Sequence, residues 1–326
     1  MAEQVLVTGA GGFIGSHLVH ELARQGTPVR AMVRYTSDSN DGQLRYLPSD
    51  IRDLIEIVRG DIRDPSFVAE VMRGCDTVYH LAALIAIPYS YVAPHSYVET
   101  NIGGTLNVLE AARRFETRRI VHTSTSETYG TAEVVPMNER HPLQGQSPYS
   151  ATKIGADKLA ESYYRSFDLP VVTVRPFNTF GPRQSARAVI PTIFTQALGG
   201  GPVRLGSLDP VRDLTFVLDT VSGFMAAGRA PGVEGETVNL GTGVGVSIGD
   251  VVHAIGDALG RTLDVELDAQ RVRPDKSEVF RLISDNTKAR QMLGWSPAYS
   301  LEDGIRACVE WYTAHLADYN RSAYTV

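Results

Sequence analysis

The sequence predicts an α/β protein built on a doubly wound parallel sheet, with a smaller lobe toward the carboxyl end. Two observations carry this. A short apolar strand runs straight into a glycine turn and an amphipathic helix at the amino end, and strand-like and helix-like segments then alternate through residue 176. Size agrees: 326 residues correspond to about two domains at ~150 residues each, and 43% of them are apolar, enough for a substantial core.

Val5 to Thr8 is apolar and β-branched, as suits a buried strand. Gly9-Ala10-Gly11-Gly12-Phe13-Ile14-Gly15 comes next, and the residues from Ser16 to Ala23 place apolar side chains at helical spacing. Glycines 9, 12 and 15 leave room for backbone N–H groups to approach a pyrophosphate at the positive end of that helix. Val29 to Val33 reads as the second strand, Ile55 to Val58 as the third, ending in Gly60-Asp61, and Thr77 to Leu81 as the fourth. Arg119 to His122 and Pro170 to Val174 are the fifth and sixth. Helical patterns fall between them, among them Phe67 to Met72, Asn101 to Arg114 and Ser150 to Ser166. Such a sheet collects its ligands at the carboxyl ends of its strands.

Beyond residue 176 the character changes. Gly181-Pro182-Arg183, Gly199 to Pro202 and Asp268 to Pro274 are loop-rich, while the stretches Phe216 to Ala227 and Glu236 to Leu240 are expected to return to the sheet. The reading is a Rossmann dinucleotide-binding domain over 1–175 with about 214–245, and a smaller second lobe over 176–213 and 246–326.

Composition narrows the function. With 31 basic and 37 acidic residues the net charge is −6, which disfavours a nucleic-acid-binding surface. No run of ~18 apolar residues suggests a membrane span, and the polar start Ala2-Glu3-Gln4 has no basic leader, so a cytoplasmic protein is expected. Cys75 and Cys308 are too few for a disulfide framework and read as buried small hydrophobes. The eight histidines show no metal-binding spacing, so no metal is expected.

Local chemistry is more telling. Arg34 closes the second strand, 19 residues past Gly15, where a carboxylate would read a ribose 2′-hydroxyl and an arginine a 2′-phosphate. It leans toward NADP and leaves NAD open. Asp61, after the third strand, is a candidate adenine neighbour and equally a plain turn aspartate. Tyr149 and Lys153 sit four apart at the start of a helix, on one face. A free phenol titrates near ~10, so a base at neutral pH needs the adjacent positive charge that Lys153 offers. Thr125, in the Ser/Thr cluster after the fifth strand, reaches the same sheet edge and is the candidate hydroxyl for a substrate alcohol becoming a ketone.

Taken together, Thr8 to Gly15, Leu81-Ala82-Ala83, Ser124 to Gly130, Ser147 to Lys153, Arg175 to Arg183, Arg212-Asp213 and Leu293-Gly294-Trp295 resemble the extended short-chain dehydrogenase/reductases that modify nucleotide-diphosphate sugars. The resemblance spans essentially the whole chain. It implies an oxidation triad of Thr125, Tyr149 and Lys153, and a tightly bound, recycled NAD or NADP. The implied dinucleotide contacts are Gly9, Gly12, Phe13, Ile14, Gly15, Arg34, Asp61, Ile62, Leu81, Ala82, Ala83, Tyr149, Lys153 and Pro176.

Members of this family oxidise a sugar carbon, usually C4, and differ in the fate of the resulting ketone. A glutamate aligned with Glu127 removes the C5 proton in the similar dehydratases, whereas epimerases usually carry a small or apolar residue there. The dTDP-glucose 4,6-dehydratases have an aspartate between threonine and glutamate, where this chain has Ser126 in the catalytic set. Thr-Ser-Glu looks like the triplet of GDP-mannose 4,6-dehydratases and also of UDP-glucuronate decarboxylases. The segments 83–91, 181–191 and 273–278 look most like N-acetylglucosamine-type 4,6-dehydratases of legionaminic-acid pathways. The expected activity is therefore nucleotide-sugar 4,6-dehydration, with decarboxylation or 4-epimerisation as alternatives. For the substrate, the resemblance implies Asn178 at the diphosphate or sugar, Val189 near the base, and Arg212 and Arg273 on the pyrophosphate. A homodimer through the helices at 101–114 and 150–166 is expected.

Overall fold

The computed structural model describes residues 3–268, 271 and 279–319. Its strands are β1 (Val5–Thr8), β2 (Val29–Arg34), β3 (Ile55–Gly60), β4 (Thr77–His80), β5 (Arg119–Thr123), β6 (Val171–Pro176), β7 (Asn178–Phe180), β8 (Val203–Leu205), β9 (Val211–Phe216), β10 (Thr237–Leu240), β11 (Gly245–Ser247), β12 (Val265–Leu267) and β13 (Arg281–Leu282). The helices are α1 (Phe13–Arg24), α2 (Ser49–Arg52), α3 (Pro65–Met72), α4 (Ile87–Val92), α5 (Pro94–Tyr97), α6 (Gly104–Arg114), α7 (Pro148–Phe167), α8 (Val189–Leu198), α9 (Val217–Arg229), α10 (Ile248–Ala258), α11 (Thr287–Leu293) and α12 (Leu301–Ala314).

Seven strands form one sheet in the order β10-β6-β5-β4-β1-β2-β3, and every neighbouring pair is parallel. Parallel strands need crossovers, which the intervening helices supply, and both faces are thereby covered. Alternation along β1 shows the two faces directly. Val5 and Val7 enter one apolar cluster with α1 and α9, whereas Leu6 enters another with α3, α6 and α7. The order reverses between β1 and β4, which opens a crevice beyond their carboxyl ends.

The elements after β6 add two smaller sheets. β9 pairs with β7, β11 and β13, while β8 pairs with β12. Their core is continuous with one face of the large sheet through Phe180, Phe194, Phe216, Phe224 and Tyr312.

Several boundaries differ from expectation for identifiable reasons. Of the two stretches expected at the sheet, Thr237–Leu240 joins it as β10, but Val217–Arg229 is a helix lying on it; Val217, Val221 and Phe224 recur at helical rather than strand spacing and are buried. The fourth strand stops at His80, where the Leu81 N–H is shared between the Thr8 carbonyl at 3.2 Å and the Thr8 hydroxyl at 3.1 Å, and the Ala82 N–H turns to that hydroxyl at 3.1 Å. The helix expected from Asn101 begins as α6 only at Gly104 and is preceded by a wide π-type turn over Val98–Gly103. Cys75 and Cys308 are both free and buried.

Candidate active site

The crevice is framed first by the glycine turn. Gly9 adopts φ +69°, and a β-carbon there would stand 2.8 Å from the backbone nitrogen of Ala82. The chain can therefore pass this close to the β4 turn only as glycine. Gly12 caps α1 without any side-chain acceptor, and no acidic residue occupies the first helical turn. The positive end of α1 is thus presented bare to the crevice, as an anionic diphosphate requires. The loop after β2 is tied to the turn by Gln43 N–H donating to the Gly11 carbonyl at 2.9 Å. Asp41 in that loop is clamped by Arg52 at 2.6 Å and Arg59 at 2.5 Å, so its carboxylate is engaged away from the crevice.

Beneath the turn lies a chain of uncharged polar groups. Thr8 Oγ meets His80 Nδ1 at 2.8 Å, His80 Nε2 meets Thr105 Oγ at 3.1 Å, and Thr105 donates to the Asn101 carbonyl at 2.6 Å. The Asn101 amide holds both backbone groups of Leu84 and donates to Thr152 Oγ at 3.0 Å. Thr152 in turn donates to the Tyr149 carbonyl at 2.7 Å. This accounts for the π-type turn: it delivers the Asn101 side chain to the Leu84 backbone and to α7 together. Burial, with the neighbouring His122 ring and the charge of Lys153, holds the His80 imidazole well below its ordinary range and hence neutral.

α7 begins with a capping box between Ser147 and Ser150, with Pro148 at its first position, so Tyr149 stands in the first turn. Its ring meets Tyr97 edge-on, with 6.3 Å between centroids. Lys153, one turn on, donates to the Thr123 carbonyl at 2.5 Å. Burial lowers the ammonium to about 8, opposed by the charge of Asp157. Burial raises the Tyr149 phenol above its ordinary value; a hydrogen bond with Thr125 pulls it back, and the charge of Glu127 pushes it further up. After β5, Thr125 Oγ accepts the Glu127 N–H at 3.3 Å and opens a short 3₁₀ turn over Ser126–Tyr129. Thr125, Ser126, Glu127, Tyr149 and Lys153 consequently face one space.

That space is a single cavity of about 1310 Å³. It exceeds the ~300–1,000 Å³ of an ordinary small-molecule pocket and has room for two ligands side by side. All the residues singled out from the sequence line it, from Gly9 and Arg34 through Asp61, Ile62 and Ala83 to Pro176, Asn178, Val189 and Arg212, with one exception. Arg273 lies outside the described residues. Asn178 Nδ2, Thr123 Oγ and Gln184 Oε1 are buried on the wall with no protein partner, which fits a polar ligand. Arg187, Arg271, Thr36 and Asn40 also line the cavity and were not singled out. Arg187 lies inside the 181–191 segment already noted, but loop arginines without periodicity carry no local signal. Tyr129 and Trp295 are buried core aromatics, the latter donating to the Asp219 carbonyl at 3.0 Å.

Residues 6–308 match the model of the GDP-mannose 4,6-dehydratase family. The chain belongs to that family. Within it, this chain is 36% identical over 320 residues to the dTDP-glucose 4,6-dehydratase of Streptomyces griseus, covering 97% of this chain and 95% of the relative. It is 34% identical over 316 residues to the UDP-glucose 4-epimerase of Mycolicibacterium smegmatis, covering 95% and 98%. The dTDP-glucose 4,6-dehydratase of Streptomyces venezuelae, solved with NAD bound, superposes with a TM-score of 0.86 at 32% identity, covering 97% of this chain and 99% of that one. Dehydratases and epimerases thus stand at similar distance, and family membership gives an enzyme of nucleotide-sugar dehydration or epimerisation. Among the described residues, no helix is long and apolar enough to cross a membrane.

Proposed function

We propose that the protein is a nucleotide-diphosphate-sugar 4,6-dehydratase acting on a hexose or N-acetylhexosamine nucleotide. One observation carries the choice over epimerisation: the carboxylate of Glu127 lines the same cavity as the Tyr149 phenol, close enough for its charge to be felt there. Epimerisation at C4 has no use for a second base, whereas elimination of water across C5 and C6 does.

In this reading the backbone of the 9–15 turn and the start of α1 hold the pyrophosphate of NAD or NADP, with Asp61 and Ile62 beside the adenine and Leu81 to Ala83 and Pro176 along the rest. When bound, the dinucleotide supplies the taking and returning of a hydride. Tyr149, as a phenolate whose charge Lys153 offsets, accepts the C4 hydroxyl proton, and Thr125 hydrogen-bonds the C4 oxygen as it becomes a carbonyl. The ketone acidifies the C5 proton; Glu127 removes it and delivers a proton to the C6 hydroxyl, which departs as water, with Ser126 adjoining. Asn178, Val189 and Arg212 hold the substrate from the other lobe, in keeping with division at 176–213 and 246–326.

Of residues 34–42, Arg34, Thr36, Asn40 and Gly42 line the cavity, and none is acidic. With Asp41 clamped elsewhere, Arg34 favours a 2′-phosphate and so NADP. Binding at least tenfold tighter for NAD in a titration of apoprotein would overturn that preference. Exposed Tyr91, Val92, Val98 and Leu106 on neighbouring helical turns support a homodimer, to be checked by sedimentation at micromolar concentration.

The decisive experiment incubates the protein with a panel of nucleotide sugars and reads product mass. Loss of one water supports dehydration; loss of carbon dioxide or an isomer of unchanged mass would replace it with decarboxylation or epimerisation. Glu127→Gln is expected to keep dinucleotide binding and lose water elimination by at least ~100-fold. Full activity in that variant would refute the role given to Glu127.

A further inference from the structure

Below Lys153 the structure holds a second set of charges that the sugar chemistry does not touch. Asp157 lies one helical turn beyond Lys153 on the same face of α7. Its carboxylate accepts hydrogen bonds from His122 Nε2 at 3.0 Å, Ser124 Oγ at 2.6 Å and Arg175 Nη2 at 2.8 Å. Arg175 Nε also donates to Ser124 Oγ at 3.2 Å, and its guanidinium lies 4.6 Å over the Tyr129 ring. One carboxylate therefore joins the end of β5, the end of β6 and the catalytic helix. Lys153 reaches the Thr123 carbonyl one residue before Ser124, so the hold on Asp157 also sets where the lysine stands.

Lys153, Asp157 and Arg175 are 4%, 7% and 3% exposed, so their charges balance against one another rather than against water. The other titratable groups around the lysine are Tyr149 on its own helix, Glu127 on the 3₁₀ turn, His80 on β4 and His122 on β5. His122 gives its Nε2 hydrogen to Asp157 and leaves Nδ1 buried without a partner, which makes the ring neutral. His80 is neutral too, and Glu127 lies on the cavity side of the phenol. The anion beneath the lysine is Asp157.

We propose that Asp157 is a positioning residue for the oxidation step, anchoring α7 to β5 and β6 and supplying the countercharge for the Lys153 ammonium. This rests on Tyr149 and Lys153 carrying out the oxidation, and not on the fate of the sugar afterwards. Arg175 is its opposing partner: it neutralises part of the carboxylate and adds a second cation to the same dry space.

The sequence has four lysines, at 153, 158, 276 and 288, so lysine-selective NMR can follow the Lys153 titration in the full chain, assigned by its loss in Lys153→Met. The wild-type ammonium is expected to titrate near about 8. Asp157→Asn should lower that midpoint by about one pH unit or more, and Arg175→Gln should raise it by about half a unit. With a nucleotide sugar that the wild type turns over, the alkaline limb of cofactor reduction should move in the same two directions. A merely structural role would lower rates without shifting the limb. An unmoved midpoint in Asp157→Asn, or shifts of the same sign in both variants, would overturn the proposal; should Asp157→Asn not fold, a midpoint in Arg175→Gln that fails to rise would do so alone. Absence of turnover with every nucleotide sugar would instead count against the proposed function, since the lysine titration needs no substrate.

Discussion

The two sides of the cavity are built from different materials. On the side of β1 and α1 the wall is backbone: a glycine turn, an uncapped helix start, and beneath them neutral polar groups paired from Thr8 to Thr152. On the side of β9 and α8 it is side chains: Arg187, Arg212 and Arg271 beside Asn178, with Val189 and Phe280 as apolar surface. A backbone-built wall admits one shape of ligand and resists change, because any added β-carbon collides with another main chain. A wall built of side chains from loops and short strands can be respecified without disturbing the sheet. This matches a family in which one cofactor-binding frame serves relatives named for different reactions.

The contrast can be broken by substitution. Tyr149 stands between the two sides, and Tyr149→Phe should cost at least ~100-fold in the rate of cofactor reduction while leaving both ligands' affinities alone, measured by single-turnover absorbance and calorimetry. A smaller loss would mean that another group takes the C4 proton. Gly9→Ala meets both a left-handed backbone and the nearby Ala82 nitrogen, a strain of ~1–2 kcal/mol or more. Dinucleotide affinity should fall roughly 10- to 30-fold, with nucleotide-sugar affinity within about twofold of wild type. Arg212→Ala should do the reverse and raise the KM for the nucleotide sugar by about tenfold, the worth of one charge-assisted hydrogen bond, with dinucleotide binding unmoved. Equal weakening of both ligands by either change would show that the two walls are not separable.

How much of this was legible in the sequence obeys the same division. The glycine turn, the strand alternation and the Tyr149 to Lys153 spacing are local, since steric demand and helical period act between near neighbours. The box formed by Ser147 and Ser150 with Pro148 is equally local, and it starts α7 where the tyrosine needs it. The Asp157 cluster has no such signature. His122, Ser124, Asp157 and Arg175 come from two strands and a helix, and only parallel pairing of β5 with β6 brings them to one point. Arg187 and Arg271 were hidden for a related reason: a loop has no period to betray which arginine turns inward. Asn101 reads as an ordinary helix residue until the hydrogen bonds to Leu84 reveal why the helix widens there.

The polar chain beneath the dinucleotide wall has a direction. Thr8 Oγ accepts from Leu81 and Ala82, so its own hydrogen goes to His80 Nδ1, and the remaining imidazole hydrogen must sit on Nε2 and point at Thr105. Thr105 passes its hydrogen to the Asn101 carbonyl. This placement of protons satisfies every member from Thr8 to the Asn101 carbonyl, so the chain behaves as a polarised run of bonds. A replacement at any link that reverses donor and acceptor forces its neighbours to reverse or go unpaired. Errors made under the glycine turn are therefore handed on, link by link, as far as the Asn101 backbone.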